Sequence, residues 1–483
     1  MAREDGNVSM ERPFPDGLIS SPGSGYELIK QRRNGLLTEA RLTEGSVGPT
    51  LFKLTLPMIL GIVSMVIFNL ADTFFIGRLG TTELAALSFT FPVVLVVNSL
   101  AMGLGIGASA VISRATGEGN THRVRRLTTD GLILSVLFAV LFVTAGQLTI
   151  RPLFRAMGAS ADILPLIETY MRIWYWGALF VVVPMMGNNA IRAAGDTLTP
   201  GLIMMVSAAM NCALDPLLIF GIGPFPRMEI AGAALSTVIA RALSMGVALW
   251  VLIRRERMIT LERPAWETVS RSWGQILYVG LPTAGTRIIL PLGMAFVTRM
   301  VSVYGKEAVA ALGVATRVEF FALAVFMALA SVIGPYVGQN RGARRWNRVI
   351  RGMRLSFGFC LISGLFLGAV LALLAPNIVR LFNHDPRVVA AASLYLRRVP
   401  WAYGLEGIVV IAASALNVLN RPLYAAGLSF MQMFVLVLPL AYIGSGLLGI
   451  GGIFLAVAAA YALTGLTSRW MLFRVLRNQR EGS

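Results

Sequence analysis

Four acidic residues, Asp72, Asp215, Glu319 and Glu406, fall inside long apolar runs of the chain. A charge at the centre of a bilayer-crossing helix costs about 2.5 to 3.5 kcal/mol even on the lenient insertion scale, so each of these carboxyls needs a purpose or a partner. Two of them have amide neighbours at helical spacing: Asn69 precedes Asp72 by three residues, and Asn211 precedes Asp215 by four. Each pair therefore shares a helix face. If those faces meet, two carboxylates and several amide and hydroxyl oxygens occupy one desolvated pocket. Like charges cannot both stay buried there, so the pocket takes up a proton or a sodium ion. The plainer expectation is a structural ion pair. Arg317 lies two residues from Glu319, and Arg172, Arg241, Arg287 and Arg397 are also available.

Other chemistry finds little support. Cys212 and Cys360, the two cysteines, both lie in apolar runs, and His122 and His384 fall in separate polar links, so neither a disulfide framework nor a zinc site can be built. The lysines, Lys30, Lys53 and Lys306, complete no phosphate-binding loop. Gly103, Gly105 and Gly107 lie within an apolar run with no strand before them, which favours close helix packing over a dinucleotide fingerprint. Pro57, on the same run as Asp72, removes a backbone hydrogen bond and permits a hinge, although a proline near a helix start is as often an ordinary first-turn residue. No enzyme, cofactor or bound metal is expected, beyond sodium as a coupling ion at Asp72, Asn211 and Asp215.

The elements that carry these residues are membrane spans. The chain has 483 residues, 56% hydrophobic and 14% charged, with mean hydropathy +0.71. That composition leaves too little polar surface for a water-soluble fold. Apolar runs, each long enough to cross the hydrocarbon core as a helix, predict twelve spans near 51–77, 83–111, 127–150, 163–186, 197–221, 230–253, 274–302, 307–336, 350–374, 388–413, 422–446 and 449–474. The net charge of +18 does not mark a nucleic-acid binder, because the basic residues sit in short groups between the runs. Arg114, Arg123, Arg125 and Arg126, then Arg254, Arg255, Arg257, Arg263 and Arg271, then Arg341, Arg344, Arg345, Arg348, Arg351 and Arg354 follow spans 2, 6 and 8. The opposite links are poorer in arginine, so both termini are expected in the cytoplasm.

The runs also repeat. Sliding the chain by 225 residues puts Leu56-Pro57 on Leu281-Pro282, Gly80 on Gly305, Tyr170 on Tyr395 and Arg172 on Arg397. Each half holds six spans, an even number, so the halves face the same way, an arrangement secondary transporters use with the substrate path between them. The expected organisation is a polar, mostly disordered cytoplasmic tail over 1–47, a six-helix lobe over 48–258 and a second over 259–478.

Several motifs carry a family resemblance. Leu54-Thr-Leu-Pro57, Asn69-Leu-Ala-Asp72-Thr-Phe-Phe-Ile-Gly77, Ala193-Ala-Gly-Asp-Thr197, Asn211-x-x-Leu214-Asp215-Pro216, Gly232-Ala-Ala-Leu-Ser-Thr237 and Val337-Gly-Gln-Asn-Arg-Gly-Ala343 closely resemble the multidrug and toxic compound extrusion (MATE) transporters, over about residues 43 to 475. The resemblance implies an all-α integral membrane protein with twelve transmembrane helices in two pseudo-symmetric six-helix lobes. It implies export of amphipathic, often cationic drugs or metabolites in exchange for H+ or Na+. In the DinF-like branch the coupling site lies in the N-terminal lobe, and the matching positions are Asp72, Asn211, Asp215 and Thr237. Glu319 resembles a cavity-lining position in the other lobe. The NorM-like branch has a carboxylate on span 7 where this chain has Leu290, while its span 10 carboxylate aligns with Glu406, which could instead contact substrate. The expected setting is a monomer in the bacterial inner membrane, partnered by small-molecule substrate and lipid and not by nucleic acid. A lipid-linked precursor flippase of the same wider superfamily is the alternative, and it requires a strongly cationic central cavity.

Overall fold

The computed structural model describes residues 40–481, which form one compact unit. Among the described residues every regular element is helical, and twelve helices are long and apolar enough to cross a membrane. They are α1 Val47–Gly77, α2 Thr82–Gly117, α3 Thr121–Ala156, α4 Leu164–Ala193, α5 Leu198–Phe220, α6 Glu229–Arg255, α7 Trp266–Ser302, α8 Lys306–Gly342, α9 Trp346–Arg380, α10 Pro386–Val418, α11 Pro422–Leu448 and α12 Ile450–Glu481. Each coincides with a predicted span, as it must where the solvent is lipid and a segment has to satisfy its own backbone polar groups. Several run well past the predicted ends. The 36 residues of α2 extend about 54 Å at 1.5 Å per residue, against a hydrocarbon core of about 30 Å. The surplus carries Arg114, in its last turn, beyond the apolar region.

Two helices are interrupted at equivalent places of the repeat. In α4 the regular helix stops at Gly177 and resumes at Leu179. In α10 a 3-10 turn occupies Val399–Ala402 before the α-helix restarts at Tyr403, 225 residues beyond Ala178. A π-helical turn, Met431–Val437, lies in α11 alone of the pair α5 and α11.

Two hydrophobic cores result. One is drawn mainly from α2 to α6, with the end of α1 at Ile76 and Ile276 of α7. The other is drawn mainly from α8 to α12, and it also takes Val47, Leu51 and Met58 from the start of α1. Small residues let the halves touch. Gly103 of α2 lies against Gly280 and Ala284 of α7, Gly107 against the Ile276 carbonyl, and Gly117 against the backbone of Gln339 in α8. The Gly103 and Gly107 contacts bear out the packing reading of that glycine stripe. All three contacts lie in the second half of α2, toward the end of the bundle where the arginine-rich connections gather.

The stretch just before α1 is also held at that end. Residues 1–39 of the expected tail lie outside the described residues, but residues 40–46 do not behave as a free tail: Leu42 and Thr43 are buried. The Leu42 N–H donates to Gln339 Oε1 at 3.0 Å, and Gln339 Nε2 in turn donates to the Ala193 carbonyl of α4 at 2.8 Å. Asn340 Nδ2 donates to the Leu42 carbonyl at 3.0 Å, while Arg348 donates to the carbonyls of Glu44 and Gly45 at 2.8 and 2.7 Å. The order of this segment comes from side chains about 300 positions away.

Candidate cation-coupling site

The site forms where α1, α5 and α6 approach closely. Gly61 of α1 sits against Gly201 of α5, and Gly232 of α6 lies against the backbone of Leu218 in α5. One turn along α6 from that contact, the hydroxyls of Ser236 and Thr237 face Asn211 and Asp215. All four residues are buried. Ser236 donates its hydroxyl to Asp215 Oδ1. The Asn211 amide satisfies its surroundings when its nitrogen faces Asp215, donating to Oδ2 at 2.9 Å while its oxygen accepts from the Thr237 N–H at 3.2 Å.

Asp72 of α1 completes the group. It lies near Asp215, and its Oδ1 is buried without a hydrogen-bond partner. Tyr170 of α4 is buried near both carboxylates. Asn211, placed on one helix face with Asp215 by their spacing, does meet Thr237, a position that only the family resemblance points to. Asn69 is not brought in: its side chain is exposed and turns back on its own helix, donating to the Met65 carbonyl at 2.8 Å. Pro57 lies inside α1, which is continuous through it, and its carbonyl is packed against Gly201.

The sequence reading missed Ser236 and Tyr170. Ser236 was present as a signal, since it adjoins Thr237 in the same motif, but adjacent helical residues point about 100° apart, and which hydroxyl meets Asp215 depends on the rotation of α6. Tyr170 was visible only as one member of the repeated pair with Tyr395.

The other two acids occupy the second half. Glu319 is buried and accepts hydrogen bonds on both oxygens, from Tyr395 and, at 2.6 Å, from Tyr461. Glu406, half-buried, accepts on Oε2 from Gln432 at 2.6 Å. Gln432 belongs to the π-helical turn of α11, a distortion common at functional sites. The structural ion pairs expected as the plainer reading are absent: none of the four acids has an arginine or lysine partner among the described residues. Arg172 pairs instead with Glu168 at the surface, and Arg397 is exposed.

The contrast with the remaining buried acids is sharp. Asp130 pairs with Arg126, Asp196 with Arg255 at 3.0 Å, and Glu256 with Arg41 at 3.5 Å. These three lie near the arginine-rich end and are neutralised by fixed cations. Asp72 and Asp215 have no such cation among the described residues, and Asp215 is held by neutral donors alone.

Twelve membrane-crossing helices in two internally repeated halves, with unpaired carboxylates in the spans, define a secondary transporter fold. A family model described as MatE matches the chain twice, over residues 57–217 and 282–443, with the two matches starting 225 residues apart. The chain belongs to the MatE family and is a multi-pass membrane transporter, not an enzyme. It is 39% identical over 445 residues to a FAD transporter of Shewanella oneidensis, covering 92% of this chain and 97% of that one. To the probable multidrug resistance protein YoeA of Bacillus subtilis it is 25% identical, covering 89% and 94%. Among solved structures, the Vibrio cholerae MATE transporter VcmN in its bent form superposes with a TM-score of 0.85 at 29% identity, covering 89% and 97%.

Proposed function

We propose that the chain is a cation-coupled antiporter that expels an amphipathic small molecule by alternating access, acting as a monomer in the bacterial inner membrane with both termini cytoplasmic. The observation that carries the reading is the α1/α5/α6 pocket: Asp215 held by Ser236 and Asn211, with a partnerless Asp72 oxygen beside it. An incoming cation neutralises this pocket and removes the repulsion between α1 and α5, which favours a different packing of α1. One elementary charge moving inward is worth about 2.3 kcal/mol per 100 mV, with any concentration gradient added. No cofactor is required. The neutral donors already facing Asp215 leave few free oxygens to cage sodium, which supports H+ over Na+. Glu406, half-buried in the second half, is assigned to the substrate cavity together with Glu319.

The 39% identical relative favours a metabolite such as a flavin dinucleotide as substrate over a purely cationic drug. Arg287 of α7 and Arg241 of α6, the latter stacked over Phe68 at 5.6 Å, are intramembrane cations with no carboxylate partner among the described residues, and they suit a phosphate-bearing cargo. The flippase alternative, which requires a strongly cationic central cavity, has less support, because Arg172 is exposed and paired with Glu168 and Arg397 is exposed.

The test is transport in proteoliposomes under separately imposed pH and sodium gradients, with FAD and a cationic dye as cargo. Asp72→Asn and Asp215→Asn are each expected to abolish acceleration by the pH gradient. Gradient-driven transport by Asp72→Asn at the wild-type rate overturns the mechanism.

A further inference from the structure

Away from the carboxylates, a groove of about 740 Å³ opens between α9 and α12, lined by Ile350 and Arg354 of α9 and by Arg469, Phe473, Leu476, Arg477, Arg480 and Glu481 of α12. It lies at the arginine-rich end of the bundle. Four guanidinium groups face one carboxylate there, and Arg354, Arg469 and Arg477 form no ion pair among the described residues. The floor is apolar, and its aromatic member, Phe473, meets Phe357 of α9 edge-on with ring centroids 6.0 Å apart. A second depression, lined by Arg344, Arg345, Trp346, Asn347, Arg348 and Arg480, shares Arg480 with the first.

We propose that this groove is a binding site for an anionic phospholipid, its phosphodiester held by Arg354, Arg469 and Arg477 and its acyl chains lying along the bilayer-facing surfaces of α9 and α12.

Two features select a lipid over a soluble phosphate. The arginines of α12 continue an exposed apolar stripe at helical spacing: Leu466 and Trp470, 57% and 61% exposed, precede Phe473 and Arg477 along one face. On α9, Leu365, 55% exposed and eleven residues beyond Arg354 on the same helix face, extends the surface toward the bilayer centre. A headgroup at the guanidinium cluster therefore has apolar surface directly behind it for its chains. Basic pockets between transmembrane helices at the cytoplasmic side are a recurrent form of anionic lipid recognition, and guanidinium groups match phosphate oxygens through paired N–H donors. A soluble ligand has no use for the stripe.

Native mass spectrometry of the full chain offered equal amounts of phosphatidylglycerol and phosphatidylcholine tests the assignment. The wild-type chain is expected to retain phosphatidylglycerol about tenfold better. Arg469→Gln with Arg477→Gln should lower that retention about thirtyfold, Arg469→Lys with Arg477→Lys should preserve most of it, and Arg380→Gln with Arg387→Gln at the opposite end should leave it unchanged. Equal retention of the two lipids by the wild-type chain overturns the proposal without recourse to any variant, as does unchanged retention by the Gln pair. Displacement of bound lipid by the deacylated headgroup glycerophosphoglycerol at equal concentration also overturns it, because the groove is then a phosphate site indifferent to acyl chains.

Discussion

At the scale of single residues, the buried acids divide by the kind of partner that neutralises them. Asp130 is fully buried against Arg126, whose guanidinium also donates to the Glu262 carbonyl at 3.0 Å. Removing one member of a buried pair leaves a bare charge, at a cost of about 3 to 5 kcal/mol. Asp215 has only neutral donors, so its conversion to Asn removes a charge that nothing fixed compensates. Arg126→Ala is therefore expected to lower thermal stability sharply, whereas Asp215→Asn is expected to leave stability within about 1 kcal/mol and to lose coupling. Thermal unfolding and vesicle transport measured on the same preparations give the two readouts. A large loss of stability in Asp215→Asn would make it a structural residue.

Among the helices, the contact between halves depends on positions where a side chain has no room. Gly117 of α2 sits on the Gln339 backbone of α8, and Gly342 sits in return on the Arg114 carbonyl. A methyl group at Gly117 must push α2 and α8 apart, since backbone cannot turn aside as a flexible side chain can. Gly117→Ala is expected to destabilise by about 1 to 3 kcal/mol. It should also loosen residues 40–46, because Gln339 ties that segment to α4. Hydrogen exchange at the Leu42 amide, which donates to Gln339, reads the second effect directly, and unchanged protection there would show that the segment is held independently of the α2/α8 contact.

For the whole molecule, the charge excess is a statement about sidedness. Connections after even-numbered helices share one end of the bundle, and the arginines of the α2–α3, α6–α7 and α8–α9 connections gather there. Lys and Arg near span ends favour the cytoplasmic side. Cysteine introduced at Asn347, exposed in the first turn of α9, is expected to react with a membrane-impermeant maleimide only after the membrane is opened. Cysteine at Asn383, between α9 and α10, is expected to react in intact cells. The reverse pattern would invert the topology and with it the direction of transport. The same end carries the Gly117 contact between the halves and the docked 40–46 segment.

The sequence by itself determined the class of this protein, because the features involved are local or periodic. Apolar runs of sufficient length must become helices in lipid, and a repeat offset of 225 residues is the same in the chain and in the family match. Spacing alone also placed Asn211 and Asp215 on one face, since four residues make about one helical turn. Tertiary structure decided the rest, since it depends on helix rotation and on partners far away in the chain. Asn69 and Asp72 are three positions apart, yet only Asp72 reaches the pocket, because Asn69 satisfies its amide on the Met65 carbonyl. Glu319 found Tyr395 and Tyr461, 76 and 142 positions distant, rather than nearby Arg317. Periodicity names the residues on a face, and only packing decides what that face meets.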